Sequence, residues 1–292
     1  MNGIIIIDKP CGKTSHDMVN FIRRLTGIKK VGHTGALDPE ATGVLPVCIG
    51  NATKACELLT CEDKTYRAEL ALGMTTDTLD AEGEILTEQP VLCGEETIKN
   101  TIESFIGEIE QIPPMFSAIK KDGKKLYELA RQGISVEREK RKITIHSIKI
   151  NEIDMQKETV TFDVHCSKGT YIRTLCDDIG MRLGCGAYMN KLTRIKSGKF
   201  LIDDAYSVEK LTEIYRNGEF EDALISVDEV FCDYPKITIN ERQKNFIVNG
   251  VRVRYKGLKE NQIYRVYDKD NKFLCLSECV EERLTLKKAF WN

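Results

Sequence analysis

The residue best suited to chemistry in this chain is Asp38, in the polar loop GHTGALDPEATG at residues 32–43. The proline that follows Asp38 restricts its backbone to extended conformations and can hold its carboxylate in a fixed direction. Three glycines and this proline punctuate a segment between a predicted helix and a predicted strand, and such loops often carry function. Local sequence alone favours an ordinary Asp-Pro turn, so a catalytic role requires partners elsewhere in the chain.

Three other polar motifs each have a simple structural explanation. Tyr66, in KTYRAEL, lies on the apolar face of an alternating strand, which predicts a core tyrosine. Arg173, in SKGTYIRTL, lies off the apolar stripe of a predicted helix and four residues before Asp177, which predicts a surface salt bridge. Leu192, in NKLTR, is expected to be buried. Taken one at a time, these residues do not indicate a catalytic site.

Patterns for cofactor and metal chemistry fit the sequence poorly. The segment CGKT at residues 11–14 would need a glycine at position 7 to be a phosphate-binding loop, and that position is Ile7. The 11 cysteines form no C-x-x-C pair, and the 4 histidines are too dispersed to indicate a metal cluster. Nothing in the sequence fixes the relative geometry of Asp38, Asp77 and Asp80 as a carboxylate site. We therefore expect no metal and no cofactor.

Hydrophobic periodicity predicts the elements that must position these residues. Apolar runs at Ile4–Ile7 and Val44–Ile49 are typical of short buried strands, and Thr65–Leu72 alternates as a half-buried strand does. Ser15 stands where a helix N-cap belongs. Strands and helices mixed without a regular βαβ rhythm predict an α+β domain. A helical stripe after residue 169 comprises Ile172, Leu175, Ile179 and Leu183.

The formal net charge of −2 conceals strong local charge. Residues 80–110 and 201–234 each carry −8, whereas residues 116–145 carry +5 and residues 235–292 carry +6. The basic segment around residues 113–145 predicts a protruding hairpin or helix, and basic patches of this kind are typical of nucleic-acid binders. A net charge near zero therefore does not exclude an RNA partner.

Length and composition predict two unequal domains in an ordinary globular protein. The chain has 292 residues, 41% hydrophobic and 30% charged, which excludes wholesale disorder and a membrane bundle. The composition changes near Pro235, which predicts a larger domain at 1–234 and a small basic β-barrel at 235–292. The apolar run Ile4–Ile7 is too short for a signal-peptide core or a membrane span, so we expect a cytoplasmic protein.

Taken together, the polar motifs resemble those of one family. In chain order they are DKPCGKTSHD (8–17), GHTGALDPEATG (32–43), KTYRAEL (64–70), TDTLDAEG (76–83), IPPMFSAIKKDGKKLYELARQG (112–133) and HCSKGTYIRTLCDDIG (165–180). This is the order found in the TruB family of pseudouridine synthases. The resemblance implies a pseudouridine-synthase fold, a mixed, largely antiparallel sheet with flanking helices. The tail resembles the family's small PUA-like RNA-binding β-barrel only loosely.

The resemblance also implies an activity. The family isomerises uridine to pseudouridine at position 55 in the T-loop of tRNA, with no redox step and no phosphate transfer, which agrees with the lack of a cofactor motif. The family's nucleophilic aspartate falls on Asp38. Arg173 matches the arginine that pairs with that aspartate, and such a guanidinium favours the ionised carboxylate. Whether the aspartate attacks C6 of the base or C1′ of the sugar stays open.

Further residues match family positions that handle a flipped uridine. Tyr66 matches the residue that stacks on the uracil and assists proton loss from C5, and His33 matches one that takes up stacking space near the displaced bases. Tyr171 and Leu192 match other substrate contacts. Lys9 matches a residue that supports the loop of the aspartate.

The expected partner is tRNA, with no membrane and no obligate protein partner. The family's RNA-clamping insertion falls on the basic segment, and its C-terminal module would reach toward the acceptor stem. Two alternatives stay open: a non-catalytic tRNA-binding or tRNA-folding protein on the same scaffold, and a guide-RNA-directed pseudouridine synthase. The residues predicted to clamp the T-arm are Lys120, Lys121, Lys124 and Lys125.

Overall fold

The computed structural model describes residues 1–121 and 123–291, in which strands and helices alternate irregularly. The strands are β1 (Gly3–Lys9), β2 (Val31–His33), β3 (Thr42–Ile49), β4 (Lys64–Leu72), β5 (Met74–Thr76), β6 (Ile85–Glu88), β7 (Gly107–Gln111), β8 (Lys120–Lys121), β9 (Lys124–Lys125), β10 (Arg141–Asp154), β11 (Thr159–Cys166), β12 (Ala187–Ser197), β13 (Phe200–Leu201), β14 (Lys236–Thr238), β15 (Val253–Arg254), β16 (Ile263–Tyr267), β17 (Phe273–Val280) and β18 (Arg283–Ala289). The helices are α1 (Ser15–Thr26), α2 (Cys56–Thr60), α3 (Glu95–Glu103), α4 (Leu126–Ala130), α5 (Ile172–Leu183), α6 (Val208–Arg216), α7 (Val227–Val230) and α8 (Glu241–Val248). The α+β class predicted from the sequence is confirmed.

A nine-stranded sheet forms the centre of the larger part of the molecule. Its main path runs β1-β3-β12-β4-β11-β10-β7, with β2 added to β3 and β13 added to β12. Neighbours along this path pair antiparallel, apart from β3 and β12, which pair in parallel. The sheet is therefore mixed and largely antiparallel, as the family resemblance implies.

The parallel contact between β3 and β12 joins segments about 150 positions apart in the chain. Thr42 pairs with Thr193, and Gly43 pairs with Arg194. The hydroxyl groups of Thr42 and Thr193 are hydrogen-bonded at 2.8 Å. Because β3 begins directly after the polar loop, this pairing sets the loop of Asp38 against the middle of the sheet.

Gly43 is required by this contact for two reasons. Its φ of +100° lies in a region that residues with a Cβ rarely adopt. A Cβ built on Gly43 would stand 2.3 Å from the backbone oxygen of Arg194. The last glycine of the polar loop therefore allows β3 to approach β12 closely.

Helix α1 begins one residue earlier than the sequence predicts. Its N-cap is Thr14, whose hydroxyl accepts a hydrogen bond from the N–H of Asp17, while the Asp17 carboxylate accepts from the N–H of Thr14. This reciprocal capping box is a preferred helix start, so the prediction of Ser15 as N-cap is wrong. The Ser15 hydroxyl is buried and instead bonds the backbone of Leu37, as acceptor at 2.8 Å and donor at 3.2 Å. Ser15 thus anchors the residue before Asp38.

Helix α5 covers the buried face of the sheet next to β12 and β4. Ile172, Leu175 and Ile179 from its predicted stripe are buried in the main core cluster, and Leu183 packs against the cluster's edge. The helix ends at Gly184, which adopts a left-handed conformation. The prediction of an amphipathic helix is confirmed. Burial of its apolar residues sets the orientation of the first turn of α5.

The basic segment forms a small excursion with a hairpin and a helix. Strands β8 and β9 pair antiparallel, and α4 follows directly. The sequence predicted a hairpin or a helix in this segment, and the structure contains both. Buried Leu126 and Leu129 attach α4 to the protein, while Lys120, Lys121 and Lys124 are exposed.

A second sheet, in the order β14-β16-β17-β18-β15, forms the C-terminal part. It curls as a half-barrel, which agrees with the predicted PUA-like module. Leu276 packs in one cluster with Phe200 and Phe231, so this sheet rests on the rest of the chain. The guanidinium of Arg265 adds an ion pair to Asp228 at 2.8 Å.

The apolar run near the N-terminus belongs to the core. Residues Ile4–Ile7 are buried within β1, which pairs with β3 along its whole length. Within residues 1–121 and 123–291, no helix is both long enough and apolar enough to span a bilayer.

We expect Gly43→Ala to destabilise the protein by about 2 kcal/mol more than Gly218→Ala, because both sites have a positive φ but only Gly43 faces a backbone clash. Urea unfolding of the two variants measures the difference. Equal free energies of unfolding would mean that β3 and β12 move apart without cost.

Candidate active site

The carboxylate of Asp38 lies beside the guanidinium of Arg173. Asp38 is in the loop between β2 and β3, and Arg173 is in the first turn of α5. Nε of Arg173 is 3.1 Å from Oδ2 of Asp38, and Nη2 is 3.5 Å from Oδ1. The side chain of Arg173 is 6% exposed and that of Asp38 is 44% exposed. This Asp38–Arg173 pair is therefore buried on the arginine side and open on the aspartate side, where a substrate can approach.

The guanidinium of Arg173 contacts five oxygen atoms, three of them through hydrogen bonds. Besides the two contacts to Asp38, Nη1 donates to the backbone carbonyl of Thr78 at 3.2 Å and lies 3.4 Å from Oδ2 of Asp80. Nη2 also donates to the backbone carbonyl of Phe116 at 2.7 Å. A planar guanidinium with contacts at all three of its nitrogens has a restricted orientation, so Arg173 fixes the direction from which Asp38 is stabilised.

Helix α5 overturns one prediction about these residues. Arg173 does not form a surface salt bridge with Asp177, because the first turn of α5 faces the loops and buries the guanidinium beside Asp38. The structure also decides the arrangement of Asp38, Asp77 and Asp80. The guanidinium lies between Asp38 and Asp80, and Asp77 accepts a hydrogen bond from a backbone N–H of its own loop.

Asp80 is a partner of the site that the sequence did not assign. Its Oδ1 accepts hydrogen bonds from the Thr78 hydroxyl at 2.5 Å and from the N–H of Glu82 at 3.2 Å. Asp80 and the carbonyl of Thr78 thus hold the same nitrogen of Arg173. The presence of Asp80 in the motif TDTLDAEG was the available signal, but the motif does not indicate which basic residue would pair with this carboxylate.

The surrounding protein raises the pKa of Asp38 from its ordinary value of 3.8. Desolvation by burial is the main cause, because it penalises the charged carboxylate. The guanidinium of Arg173 opposes this effect and lowers the pKa, whereas the like charge of Asp80 raises it. Arg173 therefore supports the ionised form of Asp38, which is the form a nucleophile requires.

Lys9 donates hydrogen bonds to the loop of Asp38 and to the neighbouring turn. It is fully buried at the end of β1, and its Nζ donates to the carbonyl oxygens of Pro10 at 2.9 Å, Lys13 at 2.5 Å and Pro39 at 2.8 Å. Burial lowers the pKa of Lys9 to about 8, so the ammonium keeps its charge at neutral pH. Its position is the loop-supporting one that the resemblance implies.

Arg194 is a second buried arginine, which the sequence did not assign. Its side chain is 1% exposed. Nε donates to the carbonyl of Val44 at 2.7 Å, Nη2 to that of Gly35 at 3.3 Å and Nη1 to that of Ala36 at 3.5 Å. Arg194 thus secures both ends of the polar loop. An arginine in an alternating strand gives no sign of this role until the sheet is assembled.

Tyr66 is the neighbour of Arg194 across β4 and β12. It packs partly buried against the main core cluster, which agrees with the expectation of a tyrosine on the apolar face. Burial raises the pKa of Tyr66, and the charge of Arg194 lowers it. The negative charge of Asp38 contributes to the raised pKa of both Tyr66 and Tyr171.

The remaining predicted contacts surround this region. Tyr171 is the N-cap of α5, and its backbone N–H and carbonyl exchange hydrogen bonds with the side-chain amide of buried Gln111 at 3.1 and 3.2 Å. Leu192 is buried on β12 in the cluster that contains Leu37. His33 is half-buried at the end of β2, and its Nδ1 accepts from a loop N–H at 3.3 Å.

The segment that leads into the hairpin of β8 and β9 contacts Arg173. The carbonyl of Phe116 accepts from Arg173, and the next residue, Ser117, is buried and accepts from the N–H of Tyr127 on α4. Lys120 begins β8 only four residues after Phe116. The segment that leads into the hairpin is therefore in direct contact with the guanidinium.

The histidines are less dispersed than the sequence suggests. His146 and His165 have ring centroids 4.7 Å apart, and Asp63 joins them. The expectation that the four histidines are dispersed is therefore wrong for this pair, because β10 and β11 are adjacent in the sheet.

Comparison with known sequences decides the family. The pattern described as "TruB family pseudouridylate synthase (N terminal domain)" matches residues 23–172, and "tRNA pseudouridylate synthase B C-terminal domain" matches residues 173–230. The chain belongs to the TruB family. A "tRNA pseudouridine synthase B" of Clostridium perfringens is 47% identical over 99% of this chain and 98% of its own. One of Alkaliphilus oremlandii is 50% identical over 87% of this chain and 83% of its own.

Chains in two solved structures share the fold. A chain in "Crystal Structure of a Cbf5-Nop10-Gar1 Complex" is 27% identical, with a TM-score of 0.75, over 99% of this chain and 85% of that one. A chain in "Crystal structure of the archaeal box H/ACA sRNP Nop10-Cbf5 complex" is 25% identical, with a TM-score of 0.72, over 99% and 86%. The similarity spans the sheet of the active site and the C-terminal half-barrel together.

We expect Lys9→Met to lower the free energy of unfolding by about 1–3 kcal/mol, because three backbone carbonyl groups lose their hydrogen bonds to the buried ammonium. Lys13→Met removes an exposed lysine of the same turn and should change stability by less than about 0.5 kcal/mol. Guanidinium unfolding curves compare the two. Equal midpoints would show that the ammonium of Lys9 does not hold the loop.

Proposed function

We propose that this protein isomerises uridine to pseudouridine at position 55 in the T-loop of tRNA, acting in the cytoplasm with Asp38 as its nucleophile. The observation that carries the proposal is the Asp38–Arg173 pair, in which an anchored guanidinium supports a carboxylate that is open on one side. The names of the similar full-length relatives support tRNA as the substrate.

The proposed reaction is balanced without a second substrate. The bond between ribose C1′ and base N1 breaks, a bond between C1′ and C5 forms, the proton on C5 leaves and N1 gains one. The carboxylate of Asp38 supplies an electron pair either to C1′ or to C6 of the base, and it leaves again when the new bond is complete. Arg173 favours the anion at the start and at the end of this cycle.

The uridine must leave its stack to reach Asp38. We assign Tyr66 as the surface on which the flipped uracil stacks. Its raised pKa keeps the phenol protonated at neutral pH, so help with loss of the C5 proton is secondary to stacking. Tyr171 and Leu192 contact the substrate in this proposal, and His33 takes up stacking space beside the displaced bases.

The four lysines of the hairpin are suited to RNA phosphates. Lys120 lies opposite Lys125, and Lys121 lies opposite Lys124. Like charges placed directly across two strands destabilise the pairing, and a bound phosphate backbone removes that repulsion. We propose that this hairpin clamps the T-arm, and that a C-terminal domain at 235–292, joined to a catalytic domain at 1–234, reaches toward the acceptor stem.

The main competing function is guide-directed modification, because the similar solved chains come from complexes named with further proteins. The basic hairpin and the near-complete match to tRNA pseudouridine synthases favour an enzyme that needs no obligate protein partner. A non-catalytic tRNA-binding or tRNA-folding protein would not need a buried arginine between Asp38 and Asp80.

The test is to incubate purified protein with an unmodified tRNA transcript, without other RNA or protein, and to map pseudouridine in the product. We expect modification at position 55 and a loss of at least about 10³-fold in rate for Asp38→Asn, because the neutral amide is not a nucleophile. Asp177→Asn on α5 is the control and should keep its rate within about twofold. No product, a product at another position, or a native rate for Asp38→Asn would refute the proposal.

We expect replacement of all four hairpin lysines by alanine to weaken tRNA binding and to flatten its salt dependence by about 3 units of log Kd per log salt. The control replaces Lys99 and Lys210, which lie in the acidic stretches, and should leave both quantities unchanged. Filter binding from 50 to about 300 mM salt measures them. An unchanged slope for the hairpin variant would remove the clamp from the proposal.

A further inference from the structure

Three metal-ligand side chains converge at a second place on the main sheet. One donor atom from each of Asp63, His146 and His165 lies within 4.8 Å of the other two. Nε2 of His146 is 3.0 Å from Oδ2 of Asp63, and the two imidazole rings are 4.7 Å apart. We propose that Asp63, His146 and His165 bind a divalent first-row transition-metal ion, with zinc as the best fit.

His146 is in β10 and His165 is in the adjacent β11, and Asp63 directly precedes β4, the neighbour of β11. His165 on β11 pairs with Thr65 on one side and with Ser147 on the other. The register of β10 and β11 shifts between Ile145 and Ser147, which leaves His146 as the extra residue of a bulge. Bulges redirect side chains next to functional sites, and here the bulge sets His146 against His165.

The backbone of Asp63 is also fixed. It directly precedes β4, and its carbonyl accepts a hydrogen bond from the N–H of Gly198 at 2.9 Å. Two of the three donors therefore come from paired strands and the third from a tethered strand end. A site built on such rigid elements needs only small side-chain rotations to close on an ion.

The spacing suits coordination. Bonds of about 2.0–2.2 Å from nitrogen and carboxylate oxygen to zinc place neighbouring donors of a tetrahedral site about 3.3–3.6 Å apart, and the 3.0 Å distance between His146 and Asp63 is only slightly shorter. Two imidazoles and one carboxylate are a ligand set that zinc and other first-row metals accept. Because His146 is 36% exposed and Asp63 is 46% exposed, an ion can enter and water can complete its shell.

This group lies on the face of the sheet that points away from the Asp38–Arg173 pair. On β11, Val164 and Cys166 point into the main core, and His165 between them points to the other side. The bound ion would join three strands without touching the reacting atoms. The site is therefore predicted to stabilise the fold rather than to take part in the isomerisation.

The experiment titrates metal-free, untagged, reduced protein with Co²⁺, whose absorption reports its ligands, and then with Zn²⁺. We expect one Co²⁺ per chain with visible bands, no thiolate-to-cobalt charge transfer, and displacement by Zn²⁺. Zinc at about 100 times its Kd should raise the unfolding temperature by roughly 5 °C. A thiolate band would assign the ion to the cysteines, and that result or the lack of stoichiometric binding would overturn the proposal.

Three variants locate the site. His146→Gln, His165→Gln and Asp63→Asn should each weaken Co²⁺ binding by at least about tenfold, whereas His16→Gln, an exposed histidine of α1, should not. Circular dichroism without metal identifies any variant that does not fold. If one of the three ligand variants does not fold, the other two still test whether these side chains bind the ion. Native affinity in the folded variants, or an equal loss in His16→Gln, would overturn the assignment.

Discussion

A buried guanidinium with acceptors around all three of its nitrogens is the constraint on which the rest of this site depends. Leaving a buried arginine without partners costs several kcal/mol, so the loops that meet Arg173 must come together for the fold to be stable. Those loops bring Asp38, Asp80 and the carbonyl of Phe116 from three separate parts of the chain. The requirement to satisfy one arginine thus assembles the site and aims the carboxylate at the same time.

Two further buried cations extend this arrangement around the polar loop. Lys9 donates to carbonyls at its base, and Arg194 donates to carbonyls at both of its ends. Loops have few regular hydrogen bonds of their own, so side-chain donors replace them. The positive charges of Lys9 and Arg173 also lower the pKa of Asp38 against the effect of burial. Holding the loop and keeping the carboxylate ionised are therefore done by the same groups.

The surface that would meet RNA is connected to this interior. The segment before the hairpin of β8 and β9 contains Phe116, whose carbonyl accepts a hydrogen bond from Arg173. The net charge of −2 does not reveal the basic hairpin, because acidic segments elsewhere in the chain offset its charge. What matters for a polyanion is the local charge where it docks.

Hydrophobic periodicity predicts the α+β class and the strands around residues 4–7, 44–49 and 65–72, because the spacing of apolar residues is a local property of the chain. The order of the polar motifs predicts the family for the same reason. It also pointed to Asp38. Three contacts became evident only in the folded structure. Arg173 lies against Asp38 rather than Asp177, Arg194 donates to carbonyls of the polar loop, and His146 packs against His165. These outcomes depend on pairing between segments as far as about 150 positions apart and on a bulge, and no local pattern encodes which distant group a buried charge will find.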